Sequence, residues 1–315
     1  MVKYIFKRLL ISLITLFIIV FALFVLVRLV PGNPFPSEKL TQEQIEQKRE
    51  EMGLNDPILV QFGRYIGNLC QGDLGKGTSL YNGAPIKAVI WPCLLNSLKI
   101  GFVSVIIGIG GGLLIGILGA FKKKSFFSVF CNIICIVGIC LPSYVFFIYI
   151  QRFFAFDLKI LPVFFDSSYF LKSSIIPGLS ISLFSMATMA KFASTEIRKV
   201  MESDYIKLIE AKGIYGPRII FNHVLRNSMI SIITVMGPLI VGLLTGATVV
   251  EKLYGINGIG RLMVDAISGS SVDYNYILIL GIIYSSLYIL VMLVIDLLYG
   301  VIDPRASVTG SGKVE

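Results

Sequence analysis

Three glycine-rich stretches carry the residue types that cradle phosphates: GIGGG at 108–112, GDLGKGTS at 72–79 and GSGKV at 310–314. Backbone N–H groups in such loops bind phosphate when a strand precedes them, a helix follows, and a Gly-Lys-Ser/Thr step stands four residues after the first glycine. GDLGKGTS lacks that gap, and GSGKV ends in Val where magnesium needs a hydroxyl. GIGGG sits inside a long apolar run that excludes a soluble βαβ unit. The chain shows no site for ATP. His223 is the only histidine, and no Ser or Cys stands by it to act as its nucleophile. An interface or structural role suits it better. Cys131 and Cys135 share a helix face but have neither a histidine nor a second pair to complete a zinc site, so they read with Cys140 as packing residues. Cys70 and Cys93 fall in one polar segment, where a disulfide is open to them but not demanded. Catalytic sites, resident cofactors and metal sites are therefore not expected.

The elements that would position any functional group belong to a bilayer. Of the 315 residues, 55% are hydrophobic. A hydrocarbon core about 30 Å thick takes about 20 apolar residues in helical conformation. Six runs meet that length, at 9–30, 98–121, 126–150, 175–193, 229–250 and 277–302, which predicts an all-α polytopic membrane protein with six transmembrane helices. The first run follows Lys3, Lys7 and Arg8 like a signal peptide. It is too long for one and lacks a cleavage site, so it reads as a retained anchor.

Charge sets the orientation. With the N-terminus cytoplasmic, segments 1–8, 122–125, 194–228 and 303–315 carry about 14 Lys and Arg in about 60 residues, against about 11 in nearly 120 on the other side. Both termini are expected inside, with Lys122, Lys123 and Lys124 the most decisive cluster. The net charge of +9 is then a topology signal rather than a sign of nucleic-acid binding. The organisation follows: cytoplasmic N-terminus 1–8, span 9–30, extracytoplasmic loop 31–97, a five-span core 98–302 holding an inner loop 194–228, and a cytoplasmic tail 303–315.

The outer loop contains one expected helix, opened by Thr41 with Gln44 in a capping box and closed at Gly53. The later NDP, QGDLGKG and YNGAP read as turns. In the second span Gly108, Gly112 and Gly116 form a ladder that admits a close helix neighbour. Arg28 lies where it can snorkel to the outer surface. Lys191 and Asp296 lie near the cytoplasmic ends of their spans, where they either pair with each other or reach headgroups separately. Tyr254, Tyr274 and Tyr276 fit interfacial anchors.

The inner loop is the most specific segment. Ser203 is placed to cap a helix opening at Asp204, with Lys212 at its other end and Gly213 at the left-handed C′ position. Tyr205, Leu208 and Ile209 are expected on one face, with Lys207 and Glu210 off it. So short a helix is unstable alone and must dock, either on lipid headgroups or in a socket on a cytoplasmic partner. The stretch RIIFNHVLRN then leads helically into the fifth span.

Several segments together resemble one family, the permease subunits of ATP-binding-cassette importers and within it the B-type subunit of dipeptide and oligopeptide permeases. They are KYIFKRLLISLITLFIIVFALFVLVRLVPGNP at 3–34, EMGLNDPILVQFGRYIGNLCQGDLGKG at 51–77, DYIKLIEAKG at 204–213 with HVLRNS at 223–228, GATVVEKLYGINGIGRLMVDAI at 246–267 and DLLYGVIDPR at 296–305. The resemblance covers nearly the whole chain. It implies a type I importer permease fold in a bacterial cytoplasmic membrane. Asp204, Tyr205, Leu208, Glu210, Ala211 and Gly213 would lie in the helix that docks on an ATPase. It also implies a second permease subunit, two ATP-binding subunits holding ATP and magnesium, an extracytoplasmic solute-binding protein, and a peptide substrate. Nickel complexes, glutathione and oligosaccharides are carried by similar permeases. The sequence departs from the family at Lys212, where Ala is general, at Ser231, where proline is usual, and at Phe164-Phe165, where a small residue and glycine are usual. An intramembrane enzyme would need paired aspartates or a Ser–His constellation, and an ion-coupled carrier would need mid-span charges in repeated halves. Neither pattern is present.

Overall fold

The structure, a computed structural model, describes residues 2–29, 41–51, 53–121, 126–245, 248–268 and 272–302. The described residues form helices α1 (Val2–Leu29), α2 (Gln42–Glu51), α3 (Ile58–Cys70), α4 (Ile86–Val105), α5 (Gly111–Phe121), α6 (Phe126–Cys140), α7 (Ser143–Gln151), α8 (Phe170–Met201), α9 (Asp204–Ala211), α10 (Pro217–Ile219), α11 (Arg226–Leu244), α12 (Thr248–Tyr254), α13 (Ile259–Ser268) and α14 (Tyr274–Ile302). Five helical segments are long and apolar enough to cross a membrane: Phe6–Leu29, Ile86–Phe121, Ser167–Met201, Pro217–Tyr254 and Tyr274–Leu298.

The sixth expected span is broken. Cys131–Cys140 and Ser143–Asp157 meet at 109° instead of continuing as one rod. Pro142 is the cause: it has no N–H to continue the ladder, its ring disfavours helical geometry at Leu141, and it opens α7 as N-cap. The second span is longer than its apolar run. It begins at Ile86 and passes through a π-helical turn at Ile106–Gly110 into α5, so twelve residues assigned by sequence to the outer loop belong to helix. Pro92 lies in its second turn.

The segment 31–97, for which one helix is expected, holds a second between the NDP and QGDLGKG turns. α3 runs through Gly63 and Gly67, where nothing approaches within 4 Å, so neither glycine breaks it. Its Phe62 inserts among Phe17, Phe21 and Phe24 of α1, with ring centroids 5.0–5.6 Å away. That aromatic contact supplies the burial a glycine-bearing helix needs. The expected box at α2 forms reciprocally: Thr41 N donates to Gln44 Oε1 at 3.0 Å and Gln44 N to Thr41 Oγ1 at 3.4 Å. Gly53 closes the helix at φ +63°.

α8 is the axis of the bundle, packed by α4, α5, α6, α7 and α11. It is built for close approach. Ser173, Ser180, Ser182, Ala187, Ala190 and Ala193 are buried along it, and Ser180 Oγ donates back to Ile176 O at 2.7 Å. The glycine ladder lies directly against this helix. A Cβ on Gly112 would sit 2.7 Å from Met186 O and 2.8 Å from Met189 Cβ, and one on Gly116 would repeat those distances at Ala190 O and Ala193 Cβ. Gly108 faces Ser182 and Leu243 a few tenths of an ångström less tightly. α14 packs instead on α1, α11 and α13.

Candidate functional site

At one end of the bundle α9 lies against the ends of α5 and α8 and the stretch from Ile219 to Leu225 that leads into α11. It begins and ends where its sequence dictates, at Asp204 and Ala211, with Lys212 as C-cap. Gly213 at φ +81° lets its own N–H return to Glu210 O at 2.9 Å and the N–H of Ile214 to Ile209 O at 3.4 Å, closing the helix with paired backbone bonds. Ser203 does not cap through its side chain. Its hydroxyl donates to Val200 O at 2.6 Å, finishing α8 instead.

The buried face differs from the expected one. Ile206 and Ile209 go inward, joining Ala120, Ile197, Ile219 and Val224 in a small core of their own. Tyr205 and Leu208 point out, at 46% and 57% exposure. The period of an eight-residue helix admits either stripe, and the adjoining ends of α5 and α8 with Ile219 and Val224 select Ile206 over Tyr205. A single polar bond anchors the exposed side: Tyr205 Oη lies 2.9 Å from His223 Nδ1. This gives His223 a structural contact. Arg198 Nη2 donates to Gly119 O at 2.6 Å, tying α8 to the end of α5. Asp204 pairs with Lys207 at 2.8 Å in the open. Glu210, Ala211 and Lys212 are also exposed.

The outward surface is therefore mixed: Tyr205, Leu208, Tyr215 and Phe221 are exposed, the last two by about two thirds, together with the charged Asp204, Lys207, Glu210 and Lys212. α9 itself is not loose. Its two isoleucines and the Tyr205–His223 contact hold it to α8 and to the helix leading into α11, through a π-helical turn at Ile220–Leu225. A push on α9 is thus delivered to both.

The suggested pair of Lys191 with Asp296 is replaced. Arg8 Nη1 lies 2.9 Å from Asp296 Oδ2, because α14 packs along α1 rather than along α8. Lys191 stays exposed on α8. Cys70 is exposed, Cys93 buried, and both are free thiols. Tyr254, Tyr274 and Tyr276 are buried rather than interfacial. Tyr254 donates its hydroxyl to Pro162 O at 2.9 Å, and Phe165 N donates to Tyr254 O at 3.0 Å, so the unusual Phe164-Phe165 step is tied to α12. Lys122, Lys123 and Lys124 lie outside the described residues.

Two buried carboxylates escaped the sequence reading. Glu251, 1% exposed, accepts the hydroxyl of Ser97 at 2.7 Å and the backbone N–H of Arg261 at 3.0 Å. Ser97 in turn accepts the N–H of Ile259 at 2.9 Å, so one serine and one glutamate hold the first turn of α13 against α4. Asp273 is fully buried. Its Oδ2 accepts the N–H groups of Thr78, Ser79 and Leu80 at 2.8–3.0 Å, and Oδ1 that of Tyr276 at 3.3 Å. The glycine-rich loop that imitates a phosphate cradle is a cradle for this aspartate. Their signal in the sequence was a lone acid in an apolar setting, visible only once the end of each span was known.

Residues 112–308 match the family described as binding-protein-dependent transport system inner membrane component, and residues 1–100 match the N-terminal portion of such membrane components. The chain is 34% identical over 305 residues to the dipeptide transport system permease protein DppB of Lactococcus lactis, covering 97% of this chain and 99% of that one. It is 33% identical over 306 residues to the oligopeptide transport system permease protein OppB of Haemophilus influenzae, with the same coverage. Among solved structures, a chain of the inward-facing MetNI methionine ABC transporter aligns at TM-score 0.55 and 12% identity, covering 70% of this chain and 99% of that one. That likeness concerns the fold.

Proposed function

This chain belongs to the family of inner membrane components of binding-protein-dependent transport systems, and from that premise we propose that it forms one half of the translocation pathway of an ATP-driven importer of di- and oligopeptides. The observation that carries the reading is α9: a short helix, rigidly seated through Ile206 and Ile209, that presents Tyr205 and Leu208 outward beside Tyr215 and Phe221. Exposed Tyr205 and Leu208 on a well-held helix that also carries Asp204 and Glu210 suit a socket on another protein better than anionic lipid headgroups, which favour Lys and Arg without intervening carboxylates.

In this reading α9 faces the cytoplasm and both termini lie inside. ATP and magnesium are held by two separate ATP-binding subunits. Closure of those subunits would move α9 as a solid body. Because α9 shares its core with the ends of α5 and α8 and with Ile219 and Val224 just before α11, that motion would tilt the central span and the fifth span together, opening the pathway alternately to either side. A second, related permease subunit would supply the other half, and an extracytoplasmic binding protein would deliver the substrate. Peptide is chosen from the names of relatives that match across nearly the whole chain.

The test is uptake of a labelled dipeptide and a labelled pentapeptide by vesicles holding the assembled transporter, with and without ATP and with Leu208→Asp. ATP-dependent peptide uptake abolished by the substitution supports the assignment. Uptake that persists without ATP points to a carrier. ATP-driven uptake of a nickel complex, glutathione or an oligosaccharide in place of peptide corrects the substrate alone.

A further inference from the structure

A cavity of about 650 Å³ lies far from α9, between the outer end of α1, α3, the loop at 73–78 and the start of α14. Four side-chain atoms that are buried and have no hydrogen-bond partner belong to residues lining it: Arg28 Nε, Tyr65 Oη, Thr78 Oγ1 and Gln61 Oε1. Buried polar atoms are almost always satisfied, so four on the side chains around one cavity mark groups that a small rotation toward an occupant would pair. Three are donors, and one carries a full positive charge. Arg28 stacks on the Phe24 ring at 5.1 Å, and no carboxylate among the described residues pairs with its guanidinium. Water can satisfy a hydroxyl, but it leaves a partly buried guanidinium without a counter-ion. Burial pushes the Tyr65 phenol up, with the Arg28 charge acting against it, so the hydroxyl keeps its proton and remains a donor.

The cavity is amphoteric. Glu51 and Asp73 also line it, and Asp73 uses Oδ1 to accept the N–H of Gly75 at 2.8 Å. Its depth is equally telling. Arg28 lies at the end of the apolar span Phe6–Leu29, where Leu26 and Leu29 are exposed by 61% and 66% on a helix little buried within this chain. We infer that this cavity binds the headgroup of a zwitterionic phospholipid, the phosphodiester against Arg28, Tyr65 and Thr78 and the ammonium toward Glu51 and Asp73. A guanidinium with flanking hydroxyls matches a phosphate oxyanion, and the nearby carboxylates match the amine a few bonds away. The bound lipid would tie α1 to the outer segment and so to α14. The inference does not depend on the identity of the transported substrate.

The experiment uses the assembled transporter in nanodiscs of phosphatidylethanolamine and phosphatidylglycerol, released into detergent and weighed by native mass spectrometry. The natural protein is expected to retain phosphatidylethanolamine. Arg28→Gln should lower that occupancy by about tenfold, the scale of one hydrogen bond to a charged group. The double variant Tyr65→Phe with Thr78→Val keeps shape and removes two donors. It should lower occupancy similarly, and it carries the test if the arginine variant fails to assemble. Occupancy unchanged in the double variant overturns the proposal. So does equal retention of phosphatidylglycerol, which has no ammonium. A parallel arm offers inorganic phosphate or a dipeptide at millimolar concentration to delipidated protein, and protection of Arg28 from guanidinium-modifying reagent by either, without lipid, overturns the lipid assignment.

Discussion

Ser97 Oγ stands 2.7 Å from Glu251 Oε1, joining the second span to the short helix that follows the fifth, at a point where neither side chain reaches solvent. The two residues are 154 positions apart, and the carboxylate is the common acceptor for α4 and for the backbone that opens α13. Replacing Glu251 by Ala strands the Ser97 hydroxyl and the Arg261 N–H together, at a cost of about 1–3 kcal/mol for each buried group left without a partner. Ser97→Ala should cost a similar amount, since it strands the Ile259 N–H and leaves Glu251 Oε1 without its donor. Thermal unfolding of the purified complex would show comparable falls for the two variants, and an unchanged melting temperature in either would count against the shared arrangement.

The same cluster makes Gly258 sensitive. A Cβ there would press on both Glu251 Oε2 and Ser97 Oγ, with the Glu251 carboxyl carbon 2.6 Å away. Gly258→Ala is expected to destabilise by about 1–3 kcal/mol, the range for overpacking. Gly242→Ala, which meets nothing within 4 Å, serves as its control. A melting temperature shared by the two variants would contradict the geometry.

The contact of α5 with α8 predicts a graded response along the glycine ladder. Gly112→Val and Gly116→Val drive a branched side chain into the α8 backbone, whereas Gly108→Ala meets softer contacts at 3.2–3.4 Å and Gly110→Ala meets none. Expression of assembled complex should be lost in the first two, reduced in the third and unchanged or slightly improved in the fourth, where alanine favours helix by up to about 1 kcal/mol.

At α9 the prediction separates docking from folding. Leu208→Asp changes an exposed residue and should leave the stability within about 0.5 kcal/mol of the natural protein while uncoupling ATP hydrolysis from uptake. Ile206→Ala removes a buried side chain and should lower stability by about 2–5 kcal/mol. Tyr205→Phe loses only the bond to His223 and should cost about 1 kcal/mol. A reversed order of stability effects would show that the buried and exposed faces had been exchanged.

Asp273→Asn tests the loop that resembles a phosphate cradle. The amide keeps one acceptor oxygen but loses the charge shared by the N–H groups of Thr78, Ser79 and Leu80, a change of about 1.5–3 kcal/mol for hydrogen bonds to a charged group. Faster proteolysis within 72–85, with uptake retained at low temperature, is the expected outcome.

Run length alone determined the membrane spans, since about 20 apolar residues have no other stable use, and local backbone chemistry determined the ends of α2 and α9, where a capping box and left-handed glycines act within a few residues. The ladder of Gly108, Gly112 and Gly116 likewise announced a close helix neighbour without saying which. Tertiary structure decided the remainder because its causes lie far apart in the chain. Pro142 could have kinked its span or broken it, and only packing of α6 and α7 against α8 set the 109° turn. Ile206 rather than Tyr205 faces inward because α5 and α8 end beneath it, beside Ile219 and Val224. Asp296 meets Arg8 instead of Lys191 because α1 is the helix beside α14. The phosphate-like loop at 72–79 took its meaning from an aspartate 195 residues from Thr78. A backbone cradle specifies an anion by its geometry, but which anion fills it depends on what the fold carries to that spot.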